Sequence, residues 1–201
     1  ICIYTENMKQ GVRDILLGQL CLYFGLTVCV VLKPAGLSVN DGISYFGIYR
    51  ETFLPYAFGL LGAAYFTVRA VAQLPAEMAL LRQALKVYTL LIVGVVITPY
   101  VVSTPIDHLH IAFGSALFSL QLLLSCWLIW QLHHVWWGIA LTLVELVSGI
   151  AAAVYLRPAH GLLLQSQVVF QLAFGTLLVL SLQRLEVGHH AAPARREIAD
   201  V

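Results

Sequence analysis

Along the chain, polar positions gather in short clusters that separate long apolar runs. Residues 1–14 are mixed, with Glu6, Lys9, Arg13 and Asp14 among apolar neighbours. An apolar run then extends to Leu32 and stops at Lys33-Pro34. The widest interruption in the first half, residues 34–55, holds Asn40, Asp41, Arg50 and Glu51 beside Tyr45, Phe46 and Tyr49. Later clusters are narrow: Leu74-Pro75-Ala76-Glu77, Pro99 to Asp107, His133-His134, Arg157 to Gly161, and a polar stretch from Gln183 onward. A helix needs roughly 20 apolar residues to cross the hydrocarbon core. The pattern therefore predicts six transmembrane helices at about 15–32, 53–74, 79–102, 105–132, 135–156 and 162–182.

Local signals support these boundaries. Pro55 falls in the first turn of the second helix, where its missing N–H costs little. Glu77, Arg82 and Lys86 place the first turns of the third helix in the headgroup region, and Pro99 should kink or stop that helix. Thr104-Pro105-Ile106-Asp107 reads as a helix start, with a threonine cap, proline at the first helical position and a carboxylate three residues after the cap. Residues 1–14 are expected to form an interfacial lead-in, and residues 183–201 a cytoplasmic polar tail without order. No internal repeat is visible.

Composition narrows the class. Apolar residues make up 60% of the chain and charged residues 10%, against about 25% charged in soluble domains. The expected fold is all-α, an integral membrane bundle forming a single domain, with a multi-pass protein of the bacterial plasma membrane as the expected localisation. Aromatic residues suit the two membrane interfaces. A net charge of +1 excludes nucleic-acid binding driven by bulk electrostatics. Cys21, Cys29 and Cys126 lie in apolar runs without metal-ligand spacing and read as packing residues. With the N-terminus inside, Lys9, Arg13, Arg69, Arg82, Lys86, Arg184, Arg195 and Arg196 fall on the cytoplasmic side, and Lys33, Arg50 and Arg157 fall outside. The positive-inside rule thus favours N-in, C-in.

That orientation collects the chemically interesting residues at the outer end. Asp107, His108 and His110 offer a carboxylate and two imidazoles for metal-assisted or acid–base chemistry, with Asp107, His110 and His160 as the candidate metal ligands. His108 and His110 point about 200° apart on a regular helix, so both cannot face one ion; Asp107 and His110 have a better spacing. Against this, Asp107 also serves as a capping carboxylate. Asp41, Arg50 and Glu51, flanked by Tyr45 and Tyr49, could engage a lipid headgroup or a partner, Arg50 gripping a phosphate through its planar fork. Within the bilayer, Glu145 sits mid-span at a depth similar to Gln121 and Gln171. An intramembrane carboxylate is costly and marks function by default, while interhelical hydrogen bonding or contact with a partner subunit is the structural alternative.

No resident cofactor is expected. Zinc or another divalent metal at the outer cluster is the alternative, and haem is disfavoured because all seven histidines lie at the edges of spans or in the tail.

The layout resembles the six-span DRAM-like/Sfk family and a related bacterial family of unknown function. The resemblance rests on Ser38-Val39-Asn40-Asp41-Gly42 in the first outer loop, Phe53-Leu54-Pro55 at the start of the second span, and His110-Ile111-Ala112-Phe113 near the start of the fourth. It implies membrane organisation or lipid handling without an established catalytic group. The leading expectation is thus a non-enzymatic, lipid-interacting protein or accessory subunit. It would engage membrane lipids or a membrane protein subunit through loop 34–52. The alternatives are an outer-face metal-assisted hydrolase or transferase using Asp107, His108 and His110, and a proton-coupled transporter through Gln121, Glu145 and Gln171.

Overall fold

A computed structural model describes the backbone of residues 2–199 except 40, 101, 134 and 156–160, and the side chains of 6–185 apart from those positions and 155. The described residues form six α-helices: α1 (Cys2–Leu32), α2 (Arg50–Gln73), α3 (Ala79–Ile97), α4 (Thr104–Gln131), α5 (Trp136–Tyr155) and α6 (Leu163–Ala199). All six are long and apolar enough to cross a membrane, and no strand occurs among the described residues. The chain is a multi-pass helical membrane protein. Each helix runs opposite to the last, so the 34–49 loop, the α3–α4 connection and the α5–α6 connection share one end of the bundle, the loop end.

Two terminal segments differ from the sequence reading. Residues 1–14 are not a separate lead-in, because α1 is helical from Cys2. Met8, Val12 and Ile15 are buried while Glu6, Lys9 and Arg13 are exposed; this spacing of three to four puts the charges on one face. At the other end α6 continues in helix to Ala199, where a tail without order was expected.

Prolines set several boundaries. α3 ends at Ile97, one residue before the Thr98-Pro99 pair, because the residue preceding proline is pushed out of helical geometry. α4 begins at Thr104 with Ser103 in the cap position, one residue earlier than the sequence signal placed it. Pro55 lies inside α2 rather than in its first turn, since that helix already begins at Arg50; the Glu51 carbonyl four residues back therefore lacks its helical partner.

The closest packing is between α1 and α2. A methyl group at Gly25 would stand 2.5 Å from the Pro55 carbonyl oxygen and 2.8 Å from the Gly59 Cα. Only two facing glycines permit such backbone contact. α5 is the most peripheral helix. Its outward residues, among them Val147 and Ile150, are exposed to where lipid would lie, and Glu145 faces inward with no exposure.

Between α1 and α2 the chain makes two short 3-10 turns, Pro34–Leu37 and Gly42–Gly47. They fold back onto the bundle. Tyr45 and Phe46 are buried, and the Thr52 hydroxyl donates to the Phe46 carbonyl at 2.8 Å. Two glutamines at the start of α6 hold the turns from the other side. Gln165 Nε2 donates to the Leu37 carbonyl at 2.7 Å, and the Ile43 N–H donates to Gln167 Oε1 at 2.8 Å. Gly42 enters the second turn with φ of 60°, a conformation glycine adopts without penalty.

Candidate functional site

Beneath the second turn lies a cavity of about 400 Å³, within the usual size of small-ligand sites. Most of its wall is apolar, including Leu22, Leu60, Ile92 and Leu117. Polar groups concentrate at the loop end: Asp41, Ser44, Tyr100, His110 and Gln167. Gln171 lies deeper on the same wall. On the α4–α5 side several lining residues are small, Gly114 and Ser115 on one helix and Gly149, Ala152 and Ala153 on the other, beside the larger Ile111 and Phe118. Ser115 and Ala153 are exposed, and a methyl group at Gly114 would meet nothing within 4 Å. The exposed lining residues all lie on α4 and α5, so the cavity opens on that side of the bundle.

His110 is the best-defined polar group in this wall. Its Nδ1 lies 2.6 Å from the Thr98 carbonyl oxygen and its Nε2 lies 2.6 Å from the Ser44 hydroxyl. A carbonyl only accepts, so Nδ1 carries a hydrogen. In the neutral ring Nε2 is then the acceptor, and Ser44 donates to it. The sequence makes this possible because proline at position 99 ends α3 just where Thr98 can present its carbonyl to α4.

The metal candidates are dispersed. His110 is buried, whereas His108 is exposed on the opposite face of α4 and Asp107 is half-buried. His160 lies outside the described residues, as do Asn40 and Arg157. Among the described residues no group of three His, Cys, Asp or Glu side chains could hold a metal ion. Both His110 nitrogens already have partners, so ligation there would first break one of two short hydrogen bonds.

The five loop residues also separate. Asp41 lines the cavity. Arg50 and Glu51 are exposed at the start of α2. Lys33 bonds Glu51 at 3.2 Å and stands 3.3 Å above the Tyr49 ring. Tyr45 packs on Tyr49 with ring centres 4.8 Å apart. The Tyr45 phenol is pushed up to about 12, chiefly by its hydrogen bond to Tyr49 and secondarily by burial, so it remains a neutral donor. These aromatics are there to seat the loop on the bundle.

The intramembrane trio splits into two pairs. Gln121 and Gln171 exchange hydrogen bonds of 2.8 and 3.0 Å across α4 and α6. Glu145 instead meets Ser125, one helical turn beyond Gln121, whose hydroxyl is 2.8 and 2.9 Å from the two carboxyl oxygens. Near the opposite end, Asp14 has no exposure and sits 3.5 Å from the partly exposed Arg69 guanidinium.

Ser44, Gln167, Tyr100 and Thr98 were not marked by the sequence reading. Ser44 has no motif around it. The pair Gln165 and Gln167, two polar amides of like spacing at a span's start, was the available signal. The chain matches no family model, no curated protein and no solved structure.

Proposed function

We propose that the protein binds a membrane amphiphile, which enters sideways between α4 and α5 and lodges its polar head against Asp41, Ser44 and His110. The observation that carries this reading is a cavity open on its α4–α5 side, with Asp41, Ser44 and His110 at the loop end and a mainly apolar wall below. The same layout supports the expectation of a lipid-interacting protein, with one change: the headgroup is taken inside the bundle rather than on the surface of loop 34–52. Among the described lining residues there is no lysine or arginine. An acceptor carboxylate with hydroxyl, imidazole and amide groups suits an uncharged or cationic head better than a phosphate, which prefers Arg or Lys.

Native mass spectrometry of the protein released from mild detergent tests the reading. Wild-type protein should retain a discrete lipid-sized adduct. Gly114→Phe, placed where there is open space, should remove it without unfolding the chain. The same adduct population in both proteins would refute it.

A further inference from the structure

Ser44, His110 and Thr98 stand in the relation of a nucleophile, its base and the group that orients the base. The Ser44 hydroxyl is 2.6 Å from Nε2, and the opposite nitrogen is fixed by a 2.6 Å bond to a backbone carbonyl. Catalytic hydroxyls are activated by such a pair, and the arrangement is identified by geometry rather than by sequence order. A third component is adjacent. Gln167 Oε1 accepts the N–H of Ile43, the residue before Ser44, and the same side chain, which lines the cavity, carries the two Nε2 hydrogens as donors. Ser44 itself also lines the cavity, and His110 is buried, with 6% exposure. Nothing about holding the loop in place requires the serine to face the ligand space.

We propose that Ser44 and His110 cleave an acyl ester carried by the bound amphiphile, a neutral glyceride or similar fatty ester, with the Gln167 amide receiving the developing oxyanion. This rests on the cavity reading above. Ser44 Oγ bonds to the acyl carbon as its proton passes to His110 Nε2. The tetrahedral adduct collapses, the ester C–O bond breaks, and the alcohol leaves with the proton returned from Nε2. Water then attacks the acyl-serine, giving its proton to Nε2, and the fatty acid departs as Ser44 recovers its proton. The Thr98 carbonyl orients the imidazole throughout and stabilises its charged form.

The test is covalent labelling of the full-length chain in mild detergent by two fluorophosphonates, one bearing a long alkyl chain and one a short chain. Peptide mass mapping locates the adduct. The expected result is a single adduct on Ser44, absent in Ser44→Ala and formed about 100-fold more slowly in His110→Gln. The long-chain reagent should react faster. Because the wild-type reaction needs no variant, poor folding of either substitution cannot rescue the proposal. No adduct on Ser44 in protein that keeps its lipid adduct would overturn the catalytic pair and leave the binding reading standing. Labelling of Ser44 at equal rates by both reagents, in protein holding no lipid, would support the pair and overturn the cavity reading. An unchanged rate in folded His110→Gln would overturn the role of the base.

Discussion

The reciprocal bond between Gln121 and Gln171 makes a prediction that can be worked through in both directions. Replacing one glutamine by leucine removes both hydrogen bonds of 2.8 and 3.0 Å and orphans the surviving amide. An orphaned buried polar group costs about 1–3 kcal/mol. Coupling across helices within membranes averages about 0.6 kcal/mol and reaches about 1.7, so a two-bond pair should show about 1–2 kcal/mol. The two single substitutions should also differ. Gln171 lines the cavity, where water or ligand can take up its amide, whereas Gln121 has no exposure and is not part of that wall. Gln171→Leu, which strands Gln121, should therefore be the more damaging. The double substitution should recover most of the loss, since two leucines of similar volume then face each other. Unfolding by sodium dodecyl sulfate in mixed micelles, followed by far-ultraviolet circular dichroism, gives all four corners of the cycle. Additive effects, with coupling below about 0.3 kcal/mol, or a harsher Gln121→Leu, would refute the reasoning.

Three further outcomes follow from the packing. Gly25→Ala places a methyl group against backbone at 2.5 and 2.8 Å and should cost about 1–3 kcal/mol, whereas Gly18→Ala, meeting its nearest atom at 3.3 Å, should cost much less; equal losses in the same unfolding assay would contradict the close approach of α1 and α2 at Gly25. Glu145→Gln keeps a partner for Ser125 and should leave stability nearly unchanged, while Glu145→Leu should lose about 1–2 kcal/mol; loss of a co-purifying subunit without any loss of stability would point instead to an intermolecular role. Arg69→Met strips the buried Asp14 of its neighbour at 3.5 Å and should destabilise the bundle by about 1–3 kcal/mol, a loss reversed by adding Asp14→Leu; a double variant worse than the single would reject that pairing.

The spans were legible because bilayer thickness imposes a length on each apolar run, and Pro75 marks the α2–α3 connection while Pro99 and Pro105 bracket the α3–α4 connection by removing backbone donors. The helical start of α1 was not read from the sequence, because the mixed composition of residues 1–14 concealed the helical spacing of Met8, Val12 and Ile15. Ser44 was not readable in this way. Its importance comes from Thr98 and His110, residues far along the chain that reach it only through helix order, which no local pattern encodes. Tyr45 and Phe46 misled for a related reason. Aromatics in a polar loop suggest an exposed docking surface, but here the loop folds inward and the rings fill the space between two 3-10 turns. Glu145 is buried, as are Gln121 and Gln171, yet its bond to Ser125 depends on the rotation of α5, and a span that is apolar all round carries little information about rotation.

The glycine contact between α1 and α2 also has a consequence for biogenesis. Of the six described helices these two are made first, and at Gly25 and Gly59 they meet backbone against backbone, with no side-chain rotamers to search at that point. The hairpin can close while the rest of the chain is still being made, carrying the Ser44 turn already anchored through Thr52. His110 joins with the fourth helix and Gln167 only with the sixth. The pocket is therefore closed only once α6 has been delivered, and until then the α1–α2 hairpin carries an incomplete cavity wall.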